Sequence, residues 1–240
     1  MKTMIMSDLI IMRRNLIQLM GICFLCAAGT AVATQGNLTV VGACFGAMVP
    51  LLYLLSIAAY DELANWQVFR LTLPMSRSNA MTGRYASFLI VVAAAIVAGV
   101  VASYIVAAVA GIVLALTGSG GEFMSGLALE ANPAEVIWGG AVAGAAAALV
   151  MSAITLPALA RFGLQKGTRF IPIIGVVLLV LAMVLFGEGG PLYGTLPNIT
   201  EFFPKEGAEL TFALTLVLVA IVLYAITLPL SIKLYDTREF

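Results

Sequence analysis

The segment between the second and third apolar runs of this chain carries the side chains best suited to binding another protein. Asp61 can cap a short helix there and Pro74 can end it. Trp66, Phe69 and Leu73 recur at three- and four-residue steps, so they would share one face of that helix. The helix either lies on a membrane surface with Trp66 among the headgroups or is presented to a partner protein. Glu62 and Arg70 flank Trp66 at four-residue steps along the same helix.

The residue types needed for catalysis are largely missing from the chain. It has no His, so it has no Ser-His triad and no His-ligated metal site. No apolar run holds a charged residue in its interior, where a charge costs at least about 2.5–3.5 kcal/mol and usually marks an ion or proton path. The Gly-x-x-x-x-Gly-Lys-Ser/Thr phosphate loop is also missing, and the pair Cys23 and Cys26 is read as helix packing. We therefore expect no enzyme and no cofactor on this chain. If it moves a solute against a concentration gradient, the energy comes from another chain.

Basic residues collect on one side of six long apolar runs. Eleven of the twelve Lys and Arg residues precede the first run, follow the sixth, or lie between runs two and three or four and five. Seven of the twelve acids fall on the other side. Short cytoplasmic loops retain basic residues, which places both termini in the cytoplasm. With 62% hydrophobic and 10% charged residues, the sequence predicts one all-α, six-span membrane domain.

The predicted segments account for the whole chain. Residues 1–15 are expected to form an amphipathic helix on the membrane surface, although 1–33 also resembles a signal peptide. The apolar run of that segment is longer than the core of about 7–15 residues in cleaved signals. The outer segment 187–209, rich in Pro and aromatic residues, is expected to fold back as a re-entrant segment. The spans are placed at about 16–34, 38–59, 85–116, 136–160, 171–186 and 210–232.

Glycines and prolines mark where the spans should approach each other and bend. Gly42-x-x-x-Gly46 and Gly140-x-x-x-Gly144 are small-x-x-x-small patterns, which permit close approach of helix backbones. The sequence Ala-Ile-Thr-Leu-Pro occurs near the inner ends of both span four and span six. Two equivalent kinks there would let those helices bend together during gating. The candidate kink and gating residues are Pro50, Pro157 and Pro229.

Two loops give the chain a family resemblance. The first contains residues 60–62, an aromatic turn, the sequence Leu-Pro-Met-Ser-Arg at 73–77, and then 83–85. The second contains Leu-Pro at 156–157, Arg-Phe-Gly at 161–163, and then Lys166, Gly167 and Arg169. These loops resemble the loops between spans two and three and between spans four and five of ABC-2 type transporter permeases. The branch that the chain resembles includes membrane subunits of phenol-soluble-modulin and related bacterial peptide exporters.

The resemblance implies a transporter of the bacterial plasma membrane in which one chain moves the substrate and a separate chain hydrolyses ATP. Residues 60–77 would hold the coupling helix of a type V exporter-like domain and dock on a separate ATP-binding subunit that carries ATP and Mg. Two permeases, identical or sister chains, and two ATPases would form an exporter of an amphipathic or hydrophobic substrate, with a peptide as the leading candidate. A self-contained facilitator, a membrane-embedded enzyme, and a scaffold or sensor subunit are the alternatives. By the resemblance the docking residues are Asp61, Glu62, Trp66, Phe69 and Arg70, with Arg77 at the interface.

Overall fold

The computed structural model describes residues 2–33, 37–63, 76–117, 126–127, 132–186 and 208–236. In that part of the chain every regular element is an α-helix, which confirms the all-α class. Five described helices are long and apolar enough to cross a membrane. The fifth predicted span, 171–186, continues the fourth helix, and the count of six spans stays a prediction. The helices are α1 (Lys2–Ala33), α2 (Leu38–Leu63), α3 (Arg77–Thr117), α4 (Ala134–Phe186) and α5 (Ala208–Asp236).

The first helix has no break between the predicted surface helix 1–15 and the first span. Its 32 residues correspond to about 48 Å at about 1.5 Å per residue, which exceeds the ~30 Å hydrocarbon core. Met4, Asp8 and Met12 are buried and lie one above the other at four-residue steps. The first helix packs against α2 and α3.

Backbone contact between α2 and α4 forms the centre of the bundle. A Cβ atom added to Gly46 would overlap the carbonyl oxygen of Ala141, and one added to Gly144 would overlap that of Ala43. The two glycine motifs predicted from the sequence therefore pack against each other. Contacts of the same kind are made by Gly42 and Gly140.

The fourth helix leaves helical geometry at Gly163, where φ is 72° and ψ is −178°. Glycine adopts positive φ without the steric cost that a side chain imposes. The segment Ala134–Gly163 is long enough to cross a membrane by itself. The loop expected at 161–170 is thus a sharp change of direction at one residue, and helix resumes directly after it. Pro157 lies six residues earlier and is buried.

Side-chain caps fix the starts of α2 and α3. The Ser76 hydroxyl accepts a hydrogen bond from the backbone N–H of Asn79 at 3.2 Å, so α3 begins well before the predicted boundary at 85. The Asn132 carboxamide oxygen accepts from the Leu38 N–H at 3.1 Å, and its amide donates to the Gly126 carbonyl at 2.7 Å. We call the end of the bundle near Asn132 the Asn132 end. The opposite end, where α1 and α3 begin and α2 and α5 end, is the Arg84 end.

The outward faces of α1 and α5 are apolar. Leu25 is 74% exposed, and Leu218 and Ile226 are 62% and 64% exposed. Such a surface would be unstable in water, and it fits contact with lipid or with another membrane chain. The predicted outer segment 187–209 lies outside the described residues up to 207, and so do residues 34–36 of the predicted turn.

Candidate functional site

A buried ion pair joins α2 to α3 at the Arg84 end. The Arg84 guanidinium contacts the Asp61 carboxylate at 2.5 Å, and the two side chains are 12% and 3% exposed. Asp61 lies in the last turn of α2, and Arg84 lies about two turns into α3. Removing one partner of a buried pair leaves an uncompensated charge, which costs more than the net value of the pair. The pair therefore fixes the end of α2 against α3.

A second carboxylate brings α1 into the same cluster. Asp8 is 2% exposed and lies within electrostatic range of the Arg84 guanidinium. The hydroxyl of Tyr53, on α2, lies within range of all three charged groups and of Ser87. Two carboxylates and one guanidinium from three helices thus meet in the packed interior. All three charged residues lie outside the apolar runs, in parts of the helices that extend past those runs.

The neighbour of Arg84 on α3 reaches a different helix. The Tyr85 hydroxyl shares a hydrogen bond with Ser231 of α5 at 2.6 Å and lies 3.2 Å from the Thr227 hydroxyl. The Tyr224 hydroxyl donates to the backbone carbonyl of Tyr85 at 3.1 Å, and the two rings lie 4.6 Å apart. Consecutive side chains on a helix point about 100° apart. Arg84 and Tyr85 therefore bind α2 and α5 from one point on α3.

An apolar cluster closes the same end of the bundle. Met81 of α3, Ala160 of α4 and Tyr235 of α5 are buried together, with Ile232 packed against them. Ala160 lies three residues before the break at Gly163. With Asp8 from α1 and Asp61 from α2, all five described helices contribute a buried side chain to the Arg84 end.

The structure brings together only part of the predicted docking set. Asp61 is buried inside the bundle, and Glu62 follows it on the last turn of α2 with partial exposure. Arg77 is the first residue of α3. Trp66, Phe69 and Arg70 lie in 64–75, outside the described residues. Among the predicted kink residues, Pro50 and Pro157 are buried, and Pro229 lies exposed on α5 two residues before Ser231.

Sequence reasoning missed the contacts between helices that four residues make at this end: Asp8, Arg84, Tyr85 and Ser231. A signal for the charged ones was present in the sequence. Residues 8, 61 and 84 carry charges of both signs next to apolar runs that end on the same side of the predicted membrane. Helices that extend one or two turns beyond those runs would bring these three residues to the same height along the bundle.

The chemistry available at the Arg84 end is that of ion pairs and hydroxyl hydrogen bonds. Within the ranges described above, no group of three or more His, Cys, Asp or Glu side chains could hold a metal ion. The cysteines Cys23, Cys26 and Cys44 are free thiols. These contacts hold α2, α3 and α5 in a fixed arrangement at the Arg84 end.

Comparisons with known proteins give one match. The family described as ABC-2 family transporter protein matches residues 3–236 of the chain. The matched range contains nearly all of α1 and the whole of α2 to α5. The comparisons with curated proteins and with solved structures gave no match.

Proposed function

Because this chain belongs to the ABC-2 family of transporter proteins, we propose that it is the permease subunit of an ATP-binding-cassette exporter. The observation that carries the proposal is the family match over residues 3–236, on a chain whose described helices include five able to cross a membrane. On this proposal the second half of α4 is the fifth span, α5 is the sixth, and both termini lie in the cytoplasm. The Arg84 end is then the cytoplasmic end.

The proposed energy source is a separate ATP-binding subunit, which would carry ATP and Mg. The sequence contains no phosphate-binding loop of the Gly-x-x-x-x-Gly-Lys-Ser/Thr type, so hydrolysis must take place on a partner. Two permease chains, identical or sister chains, and two ATPase subunits would form the working assembly in a bacterial plasma membrane.

The proposed docking element is the segment that links α2 to α3. It leaves α2 after Leu63 and enters α3 at Arg77, so it would project from the cytoplasmic end toward the ATPase. Trp66 and Phe69 would supply apolar anchors, because buried aromatic side chains commonly dominate interface energetics. Glu62, Arg70 and Arg77 would orient the segment through charged contacts. Asp61 would act from inside the permease, through Arg84.

The proposed substrate is an amphipathic or hydrophobic molecule, with a peptide as the leading candidate. Between the two ends of the bundle, the buried surface of the described helices is apolar and includes a few hydroxyl groups. Ser103 donates to the Gly99 carbonyl at 2.9 Å, and Ser152 donates to the Leu149 carbonyl at 2.8 Å. Hydroxyls bonded within their own helices offer little to a strongly charged solute. An apolar peptide face would fit this interior better.

The proposal is tested by purifying the tagged permease from its native membrane in mild detergent. We expect a co-purifying subunit that carries a phosphate-binding loop, and ATP-dependent transport when the complex is reconstituted into vesicles. Candidate cargoes are amphipathic peptides, with a strongly charged peptide of equal length as the control. A permease that purifies without any ATPase and conducts substrate without ATP would contradict the proposal and favour a facilitator.

A further inference from the structure

We propose that Arg84 and Tyr85 form a coupling clamp, in which adjacent α3 residues bind the end of α2 on one side and α5 on the other. Movement of the segment between α2 and α3 would then move α5 as well. The inference rests on the proposed function, because it deepens the account of how a permease receives movement from its ATPase. The residues that form the clamp all lie in described helices. Arg84 and Tyr85 are positioning residues, because they act through the helices that they join.

The first half of the clamp ties together the two ends of the docking segment. Asp61 lies two residues before α2 ends at Leu63, and Arg84 lies seven residues after α3 begins at Arg77. Their contact at 2.5 Å joins the two helix ends at the base of the docking segment through a buried ion pair. A movement of the docking segment is therefore transmitted to α2 and α3 together. Without the pair, the end of α2 or the start of α3 could move by itself.

Burial makes the ion pair between Asp61 and Arg84 resist separation. An exposed ion pair is weakened by water and salt and constrains its partners little. The Asp61 carboxylate is 3% exposed, and Asp8 of α1 adds a second negative charge within range of Arg84. The guanidinium cannot lose its proton at any ordinary pH, so its positive charge must always be balanced by these carboxylates. Separating α2 from α3 would leave charges unpaired in the interior.

The second half of the clamp passes the movement to α5. Tyr85 contacts Ser231 at 2.6 Å, and Tyr224, about two turns earlier on α5, donates a hydrogen bond to the Tyr85 carbonyl. Pro229 lies between these two attachment points. A proline inside a helix removes one backbone hydrogen bond and permits bending. Both attachment points on α5 can therefore follow Tyr85, because the helix can bend at Pro229 between them.

The test of the second half compares two buried serines. Ser231 and Ser103 are both 0% exposed, and each hydroxyl contacts a neighbouring helix. Ser231 contacts Tyr85 at the Arg84 end, whereas Ser103 lies 3.4 Å from the Leu38 carbonyl of α2 at the Asn132 end. Ser231→Ala and Tyr85→Phe should lower substrate-stimulated ATP hydrolysis and transport in the reconstituted complex roughly fivefold to tenfold, the loss expected for one buried hydrogen bond. Ser103→Ala should change neither by more than about twofold.

The test of the first half uses the ion pair as a double-mutant cycle. Arg84→Gln and Asp61→Asn should each leave the ATPase subunit bound but uncouple its hydrolysis from substrate. If Arg84 acts through Asp61, the double variant should be no worse than the more severe single variant. The conservative Arg84→Lys should restore part of the coupling, since it retains the charge. Additive losses in the double variant would contradict the first half of the clamp.

A distance measurement examines the clamp without any ATPase. In a permease with Cys23, Cys26 and Cys44 replaced by Ala, spin labels at Tyr60→Cys and Leu230→Cys report on the ends of α2 and α5, both at exposed positions. The distance distribution should be narrow in this background, broader with Tyr85→Phe added, and unchanged with Ser103→Ala added.

The two sets of outcomes separate the clamp from the proposed function. A wild-type permease that never binds an ATPase would contradict the proposed function, while a broadened distance in Tyr85→Phe would still support the mechanical link. A complex that binds ATPase and transports, with coupling and distance both unchanged in Tyr85→Phe, would overturn the clamp and leave the permease assignment intact.

Discussion

Gly46 of α2 lies so close to Ala141 of α4 that a Cβ atom on the glycine would overlap the alanine's carbonyl oxygen. Backbones approach this closely only where one partner has no side chain. The contact recurs one turn along α4, where Gly144 meets the Ala43 carbonyl. The two helices at the centre of the permease are therefore held by backbone contact, and any added side chain must push them apart.

This contact predicts a strong effect of Gly46→Leu. Overpacking a tight contact costs about 1–3 kcal/mol, and sometimes more, so the variant should lose thermal stability in detergent. Gly111 of α3 provides the control, because nothing lies within 4 Å of the position of its Cβ. Gly111→Ala should be neutral or stabilising by about 0.5–1 kcal/mol, since alanine is the better helix former. Equal stability of Gly46→Leu and wild type would contradict the tight packing of α2 against α4.

The buried ion cluster predicts that removal of Arg84 is costly. Arg84→Met would leave the buried carboxylates of Asp8 and Asp61 without the Arg84 guanidinium, and such losses cost about 3–5 kcal/mol. Thermal unfolding of the purified permease should show a large drop for this variant. Arg13→Met is the control, because Arg13 lies on the exposed face of α1. A similar drop in both variants would mean that the cluster adds nothing beyond the general effect of losing a surface arginine.

The missing phosphate-binding loop predicts that the purified chain hydrolyses no ATP by itself. Hydrolysis should appear only when the partner ATPase is added, and it should rise with substrate. The measurement is phosphate release from permease purified to homogeneity, with a heat-inactivated sample as the control. Nucleotidase activity that stays with the permease through every purification step would show that the chain has a catalytic site of its own.

The distribution of basic residues predicts the orientation of the chain in the membrane. With the native cysteines replaced, Lys166→Cys should react with a membrane-impermeant thiol reagent only after the cells are opened. Glu201→Cys, in the predicted outer segment 187–209, should react in intact cells. Labelling of position 166 from outside intact cells would reverse the assigned orientation and would place the docking segment away from any cytoplasmic ATPase.

The sequence was most informative about what each helix can contact and least informative about where it ends. The glycine motifs identified the central contact surfaces of α2 and α4, because close approach needs a residue without a side chain. The partner of each motif could not be read from the sequence, since many helices could accept such a surface. Five of the six predicted apolar spans coincide with the five described helix segments that are long and apolar enough to cross a membrane.

The candidate site could be predicted only in part, because apolar runs do not show where a helix ends. Apolar runs mark the part of a helix in contact with hydrocarbon, while the helix itself continues until a cap or a break. Asp61 was therefore predicted as a loop residue that touches a partner, yet it is buried against Arg84. Tyr85 and Ser231 are 146 residues apart in the chain. A contact over that separation depends on packing that no local pattern encodes.

The most direct test of the central claim is whether the segment between α2 and α3 holds the ATPase subunit. If Trp66 anchors that segment, Trp66→Ala should cost about 2 kcal/mol or more, roughly a thirtyfold loss of affinity. The measurement is co-purification of the ATPase subunit with wild-type and Trp66→Ala permease, together with substrate-stimulated ATP hydrolysis. Trp138, 41% exposed on α4 near the Asn132 end, supplies the control Trp138→Ala. We predict intact membrane insertion in both variants, with loss of the ATPase subunit and of stimulation only in Trp66→Ala. Unchanged recovery and stimulation in Trp66→Ala would contradict the account and would place this segment on the lipid surface.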